Sequence, residues 1–193
     1  MSAKTRQRLV GAVFLALLFA GLAGVLRRPA AQREPPRRSE TARPLTARVT
    51  YVYDGDTVEV EGLGKVRLIG IDAMDAHNLD RTYEQRERYG MMTARVKYWA
   101  ERAADFARKR LQGKVVTLSG GPEPTDRYGR VLAYVQVPDG EGAGEDFNLA
   151  MLREGLAAAY RAADHSRRAE YLKAEAEARA ARRGMWQDAH GEP

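Results

Sequence analysis

Residues 46–71 read TARVTYVYDGDTVEVEGLGKVRLIGI. Three short segments of this stretch, 47–53, 57–60 and 65–71, are rich in β-branched and aromatic residues. Asp54-Gly55 separates the first two segments, and Gly62-Leu63-Gly64 separates the last two. Short apolar runs divided by such turn residues are typical of hairpins. The stretch therefore predicts a meander of three antiparallel strands.

The chain beyond this meander alternates between helical and strand patterns. Residues 76–90 are polar and lack periodicity, which predicts a loop, whereas residues 91–111 repeat apolar side chains at helical spacing. Residues 115–118 and 131–137 have the composition of a fourth and a fifth strand.

Two further helices are predicted near the C-terminus. Asp146 or Asn148 is a candidate cap for a short helix over residues 149–154, and residues 165–183 predict a longer helix rich in Ala, Glu and Arg. The complete order of elements predicts an α+β fold: a five-stranded, partly open OB-fold β-barrel with about three α-helices. An open α+β sheet is the alternative.

Composition limits the chemistry of the domain. The chain has no cysteine and three histidines, which excludes disulfides, thiolate zinc sites and cysteine nucleophiles. Any metal would therefore be a hard cation bound by carboxylates. The net charge is +6, but the first 44 residues hold nine of the 32 basic and two of the 26 acidic residues. Because the remainder is close to neutral, a polyanion would have to be bound by a few placed arginines.

The N-terminus has the pattern of a membrane-targeting segment. Residues 9–26 are 18 uncharged, mostly apolar residues with basic residues on both sides. This length is near the lower limit for a bilayer span and long for a signal peptide. We interpret residues 1–26 as a hydrophobic helix that acts as a signal anchor. The alternatives are a cleaved signal peptide, which would give a secreted form, and a buried core helix.

Residues 27–44 are rich in Pro, Arg and Ala and predict a disordered basic linker. The globular domain would then comprise residues 45–187, followed by a tail of residues 188–193. We expect this domain to be tethered to a membrane through residues 9–26 on the extracytoplasmic side. The chain is expected to be a monomer, and no protein partner is implied.

Several charged residues lie where strands end or turns begin, which is where catalytic groups are often positioned. Asp56 starts the second strand and Asp72 ends the third, so barrel curvature could bring the two carboxylates together. Carboxylate oxygens are the ligands that Ca²⁺ prefers. Taken alone, Asp54-Gly55 is more simply a hairpin turn, and Asp72 a strand-end cap.

The candidate arginines leave similar alternatives open. Arg67 lies on an apolar strand face, where it requires an anionic partner. This partner could be Asp56 or Asp72 in an ion pair, or a substrate phosphate matching the guanidinium fork. The segment from Asp126 to Arg130 is either a polar turn or a loop that presents Arg130 to a phosphate.

Together these segments resemble the staphylococcal nuclease (thermonuclease) family. The resemblance covers residues 46–187 and rests on several motifs in one order: VYDGDTV at 52–58, RLIGIDAMD at 67–75, TDRYGRVLAY at 125–134, NLAMLREGLA at 148–157, and Trp186. It implies an OB barrel with three helices and a Ca²⁺-dependent hydrolase of DNA and RNA that leaves 3′-phosphate ends.

The resemblance also implies roles for individual residues. Asp56, Asp72 and the backbone carbonyl of Ala73 would bind Ca²⁺. Arg67 and Arg130 would bind the scissile phosphate. Asp75 would orient or deprotonate the attacking water. The implied substrate-binding residues are Asp126, Arg127, Tyr128 and Tyr160.

The chain departs from the family pattern at one important point. The family usually has Asp-x-Pro-Glu where this chain has Asp72-Ala73-Met74-Asp75. The missing proline leaves the backbone less restricted, and aspartate is shorter than glutamate by about 1.5 Å. A catalytically weakened nucleic-acid-binding module is therefore the alternative to an active nuclease, and a membrane-tethered interaction protein is the third hypothesis.

Overall fold

A computed structural model describes residues 44–140 and 144–191. The predicted signal anchor and nearly all of the linker lie outside the described residues. Within the described part of the chain, no helix is both long enough and apolar enough to cross a membrane.

Five strands close into a barrel, as the sequence predicts. They are β1 (Leu45–Val52), β2 (Thr57–Val60), β3 (Gly64–Leu68), β5 (Val115–Thr125) and β6 (Val131–Val137). Antiparallel ladders join β3 to β2, β2 to β1, β1 to β5 and β5 to β6. The parallel pairing of β3 with β6 closes the ring, so this barrel is closed rather than partly open.

Three short strands accompany the barrel. β4 (Ile71–Ala73) pairs with β8 (Ala157–Ala159) in a separate antiparallel sheet, and β7 (Glu145–Asp146) pairs with the edge of β6. Since β8 consists of three alanines, its strand conformation comes from pairing with β4 rather than from local β-propensity. β4 carries Asp72, one of the residues expected to bind Ca²⁺.

Residues 44–140 and 144–191 contain four α-helices, where the sequence predicts about three. They are α1 (Leu79–Tyr89), α2 (Thr93–Leu111), α3 (Phe147–Arg153) and α4 (Arg168–Ala180), followed by a 3₁₀ turn at Gly184–Gln187. The short helix is capped by Asp146, whose side chain accepts a hydrogen bond from the N–H of Leu149 at 3.1 Å. The three helices that the sequence predicts between residues 91 and 183 are all present, with slightly different ends.

The prediction of a loop over residues 76–90 is wrong, because α1 occupies most of this segment. The buried face of α1 consists of Thr82, Gln85 and Tyr89, so it has no apolar stripe for a periodicity argument to detect. Asn78 caps the start of the helix by accepting a hydrogen bond from Arg81 N–H at 3.1 Å. Gly90 ends it in the left-handed conformation, with φ of 61°.

The barrel interior is filled by alternate residues of its strands, among them Val49, Val58, Val66 and Val116. Helix α2 packs beside the turn that leads into β2. A Cβ atom at Gly55 would lie 2.7 Å from Cβ of Ala73 and 2.8 Å from Cβ of Ala103. Only glycine therefore allows this turn to approach both β4 and α2, which places Asp56 next to Asp72.

Candidate active site

Arg67 joins the two aspartates that the sequence analysis places together. Its guanidinium forms an ion pair with the Asp56 carboxylate, and Nη2 lies 3.3 Å from Oδ1 of Asp72. Nη2 also donates to the carbonyl of Ile71 at 3.1 Å. The three side chains come from the residue before β2, from β3 and from β4. The structure therefore brings both Asp56 and Asp72 into contact with one arginine.

The Asp56 carboxylate is fixed by the backbone of β4. Its Oδ2 accepts a hydrogen bond from Ala73 N–H at 2.7 Å, and its Oδ1 accepts one from the Thr57 hydroxyl at 3.1 Å. Asp56 is 6% exposed and Asp72 is 5% exposed. Buried carboxylates of this kind require positive partners, and here those partners are arginines.

Asp72 has additional positive neighbours on α1. Nη2 of Arg81 donates to Asp72 Oδ1 at 2.6 Å, and Nη1 of Arg88 lies 3.9 Å from Oδ2. Arg67 and Arg81 therefore share one oxygen of Asp72. Sequence reasoning did not identify either helix residue as part of the site, because it predicted a loop there.

Arg130 is held at the same end of the barrel by Asp126. Oδ2 of Asp126 accepts from Nε of Arg130 at 2.7 Å, and Oδ1 accepts from the backbone N–H of Arg130 at 3.0 Å. Nη1 of Arg130 donates to the Thr57 hydroxyl at 3.3 Å. Because Thr57 faces Arg67 across the β2–β3 ladder, the two arginines flank the same threonine.

Burial disfavours the charged form of Asp126, but hydrogen bonds from Arg130 and Tyr128 leave its pKa below the usual value. This carboxylate therefore remains ionised and positions Arg130. Tyr128 is 69% exposed, and the guanidinium carbon of Arg127 lies 4.8 Å from the centre of its ring. Arg127 and Tyr128 thus form an exposed pair beside Arg130, available for contact with a ligand.

Burial shifts the pKa values of both Arg67 and Asp54. Burial lowers the pKa of Arg67, while the nearby charges of Asp72 and Asp54 oppose this shift. Burial raises the pKa of Asp54, whereas attraction by Arg67 lowers it. Oδ1 of Asp54 accepts the N–H of Asp56 at 2.9 Å, so this residue shapes the turn before β2.

Asp75 lies in the loop between β4 and α1. Its Oδ1 accepts backbone hydrogen bonds from His77 at 2.8 Å and Asn78 at 3.0 Å. Its Oδ2 has no hydrogen bond to any residue in the described part of the chain. One oxygen therefore holds the turn, and the other is available to a water molecule.

Of the two remaining predicted residues, Ala73 ends β4 and Tyr160 directly follows β8. The carbonyl of Ala73 accepts a hydrogen bond from Nε2 of Gln85 at 2.9 Å, which leaves its second lone pair for another partner. Tyr160 follows β8, donates its backbone N–H to the Gly70 carbonyl at 2.9 Å, and is 42% exposed. Tyr160 is thus an exposed residue directly after the strand that pairs with β4.

Comparison with known proteins assigns the family. A family model described as staphylococcal nuclease homologue matches residues 65–188. The chain belongs to this family. It is 35% identical over 147 residues to the uncharacterized protein MJ1439 of Methanocaldococcus jannaschii, an alignment covering 72% of this chain and 70% of that protein.

Two proteins described as nucleases are similar to the chain. An uncharacterized endonuclease of Escherichia coli is 34% identical, with 77% of this chain and 82% of that protein aligned. The thermonuclease of Staphylococcus intermedius is also 34% identical, but the alignment covers 58% of this chain and 57% of that protein. These relatives support a nuclease, that is, a hydrolase acting on nucleic acid.

The donor atoms around Asp56 and Asp72 decide which kind of metal ion this site suits. Among residues 44–140 and 144–191, no cluster of three carboxylate or histidine side chains is arranged around a metal position. The adjacent carboxylates of Asp56 and Asp72 nevertheless offer oxygen donors only. Two carboxylates supplemented by a carbonyl and water oxygens fit the preferences of Ca²⁺.

A sequence signal for the missed helix residues does exist. Asn78 and Gly90 are preferred residues for the two ends of a helix, and they are separated by the length of α1. A helix over this interval would have placed Arg81, Glu84 and Arg88 on one face. Which strand that face meets is a tertiary property, and the local sequence does not encode it.

Proposed function

We propose that the protein is a Ca²⁺-dependent phosphodiesterase that hydrolyses DNA, RNA or both and leaves 3′-phosphate ends. The observation that carries the proposal is the shared position of Arg67 between Asp56 and Asp72. This arrangement combines two oxygen-donor side chains with an arginine that can bind phosphate through two N–H groups. Arg130 supplies a second guanidinium at the same end of the barrel.

The proposed chemistry assigns a separate task to each part of the site. Asp56 and Asp72, with the Ala73 carbonyl, would hold Ca²⁺. The bound cation would supply positive charge beside the phosphate. Arg67 and Arg130 would donate hydrogen bonds to the phosphate oxygens, where negative charge grows in the transition state.

Asp75 would act on the attacking water. Its free Oδ2 would accept a proton while the water oxygen bonds to phosphorus. The bond from phosphorus to the 5′ oxygen would break, and that oxygen would take up a proton. The products would be a 3′-phosphate and a 5′-hydroxyl. Arg127, Tyr128 and Tyr160 would contact the nucleotides on either side, since exposed aromatic rings can stack on bases.

A cleavage assay on the full chain tests this proposal. The purified protein is incubated with single-stranded DNA, double-stranded DNA and RNA, in Ca²⁺ or in a chelator. We expect Ca²⁺-dependent cleavage that falls by about 10²-fold or more in Asp56→Asn. Asp80→Asn, which changes an exposed acid on α1, is the matched control and should retain activity.

Two results would reject the proposal. One is cleavage that persists in the chelator, and the other is nucleic-acid binding with no cleavage, which would identify a binding module. The ends of the products provide a separate check. A polymerase should extend them only after phosphatase treatment if they carry a 3′-phosphate.

We also propose that residues 1–26 anchor the nuclease domain on the extracytoplasmic face of a membrane. The uncharged stretch at residues 9–26 and its basic flanks support this proposal. Protease added to intact cells should then digest the domain while the N-terminal segment stays with the membrane fraction. Recovery of the whole chain in the soluble cytoplasmic fraction would exclude an anchor.

A further inference from the structure

Helix α1 presents a charged face to the carboxylate of Asp72. Arg81, Glu84 and Arg88 are spaced by three and four residues, so they lie along one side of the helix. Arg81 donates to Asp72 Oδ1 at 2.6 Å through Nη2 and to Glu84 Oε2 at 3.2 Å through Nη1. Arg88 donates to the other oxygen of Glu84 at 2.6 Å. Glu84 is therefore a second anionic partner for both arginines.

The backbone of α1 is fixed to the strand that carries Asp72. Nε2 of Gln85 donates to the Ala73 carbonyl at 2.9 Å, and Oε1 of Gln85 accepts the Asp75 N–H at 2.8 Å. The Thr82 hydroxyl donates to the Asp75 carbonyl at 2.8 Å. Because Gln85 and Thr82 are each 1% exposed, these bonds are protected from water. The position of Arg81 beside Asp72 thus follows from a rigid attachment of the helix.

A guanidinium and a divalent cation compete for the same carboxylate oxygens. Arg81 and Arg67 both contact Oδ1 of Asp72, so the charge of this carboxylate is already neutralised. Any cation that binds Asp72 must displace Arg81 or tolerate its repulsion, and either effect lowers the cation's affinity. The side chains of Arg81 and Glu84 are 35% and 46% exposed, so Arg81 can leave Asp72 and keep Glu84, which it already contacts, as its partner.

We propose that Arg81 is an internal competitor for the metal and sets the affinity of the site for Ca²⁺. Arg81 occupies Asp72 when Ca²⁺ is absent and pairs with Glu84 when Ca²⁺ is bound. Arg81 is a positioning residue in this scheme, because it acts through Asp72. The inference rests on the proposed function, since it requires that Asp72 binds Ca²⁺.

Calorimetric titration of Ca²⁺ into the full chain, without nucleic acid, tests the inference. We expect Arg81→Gln to bind Ca²⁺ about tenfold more tightly than the unaltered chain, within the range typical of coupled sites. Arg86→Gln is the matched control. It removes the same charge from the same helix, but among the residues that the structure describes the one ion-pair partner of Arg86 is the exposed Glu87. Its Ca²⁺ affinity should change by less than about twofold.

Glu84→Gln tests the alternative partner of Arg81. Removing this carboxylate should weaken Ca²⁺ binding, because Arg81 then has Asp72 as its remaining anionic partner. The effect should be smaller when Glu84→Gln is combined with Arg81→Gln, since the competing guanidinium is already absent. Equal effects of Glu84→Gln in both backgrounds would mean that Glu84 acts directly on the cation, which would overturn the exchange of partners.

The outcomes separate this inference from the proposed function. Equal Ca²⁺ affinity in Arg81→Gln and in the unaltered chain, with Ca²⁺-dependent cleavage intact, would overturn the competition alone. Equal increases in Arg81→Gln and Arg86→Gln would also overturn it, because they would indicate a general charge effect. No Ca²⁺ binding by any of the proteins would reject both proposals.

Discussion

The site has a strand side, formed by Arg67 and its partners, and a helix side, formed by Arg81, Glu84 and Arg88 of α1. The two sides differ in how deeply their charged side chains are buried. On the strand side, the Arg67 side chain is 14% exposed, and the side chains of its partners Asp56 and Asp72 are 9% and 5% exposed. On the helix side, Arg81 is 35% exposed and Glu84 is 46% exposed. Both sides meet at Asp72.

This difference in burial indicates that the two sides have different roles. Ladder hydrogen bonds and the barrel core hold the strand side, so its groups keep one geometry, as catalysis requires. The helix side has a fixed backbone but charged groups with more than one partner. We infer that the strand side supplies the reacting geometry and that the helix side adjusts the electrostatics around it.

The largest effect is expected for Arg67→Gln, which tests the strand side. Loss of a preorganised donor should lower the cleavage rate by about 10³-fold. The two buried carboxylates would also lose their shared cation, which should destabilise the metal-free protein by about 3–5 kcal/mol. Cleavage kinetics and thermal unfolding in a chelator measure the two effects.

Arg81→Gln provides the comparison on the helix side. Because Arg81 is half-exposed, its removal should change the unfolding free energy by about 1 kcal/mol at most. The two variants should also differ in their response to Ca²⁺. In Arg67→Gln, a cation between the carboxylates replaces the missing charge, so Ca²⁺ should raise the Tm of this variant more than that of the unaltered chain. If Arg81→Gln destabilised the protein as much as Arg67→Gln, the distinction between the two sides would be lost.

Asp75→Asn tests the junction between the two sides. Asparagine retains an Oδ1 that can accept the N–H groups of His77 and Asn78, so the turn should persist. The charge that would accept a proton is lost, and we expect kcat to fall by about 10²-fold. The Tm should shift by less than about 2 °C. Unchanged kcat would show that Asp75 serves the turn alone.

Sequence reasoning succeeds where a periodic pattern governs the structure. The alternation of residues in β1 to β3 and the turn at Asp54-Gly55 predict the meander and the convergence of Asp56 with Asp72. Helix α1 was missed because Gln85 contributes hydrogen bonds instead of apolar area to its buried face. Such pairing depends on tertiary contacts, and so does β8, whose three alanines carry no strand signal.

Gln85→Ala tests how the helix side is attached. The substitution removes two hydrogen bonds and deprives the buried Ala73 carbonyl and the partly buried Asp75 N–H of these partners. We expect a loss of about 3 kcal/mol in unfolding free energy, measured by denaturant titration. Tyr83→Ala on the exposed face of α1 is the control and should stay within about 0.5 kcal/mol. Equal losses in both variants would indicate that α1 is held by its whole surface rather than by Gln85.

The smallest effect concerns Asp54, on the strand side. Burial raises its pKa above the usual 3.8, so the folded state binds this proton more tightly than the unfolded chain does. In the metal-free protein, the stability that the Asp54 carboxyl group contributes is therefore fully present below its unfolded-state pKa. This contribution is lost as the pH rises through the higher folded-state pKa. Removing the charge should consequently stabilise the metal-free protein at neutral pH.

Asp54→Asn should raise the Tm by about 2 °C at neutral pH in a chelator. The difference should shrink as the pH is lowered through the raised folded-state pKa of Asp54, because the carboxyl group of the unaltered chain then becomes protonated. Asparagine can still accept the N–H of Asp56, so the turn is retained. A lower Tm for Asp54→Asn at neutral pH would mean that attraction to Arg67 outweighs burial. The strand side would then be held by three carboxylates around one arginine rather than by two.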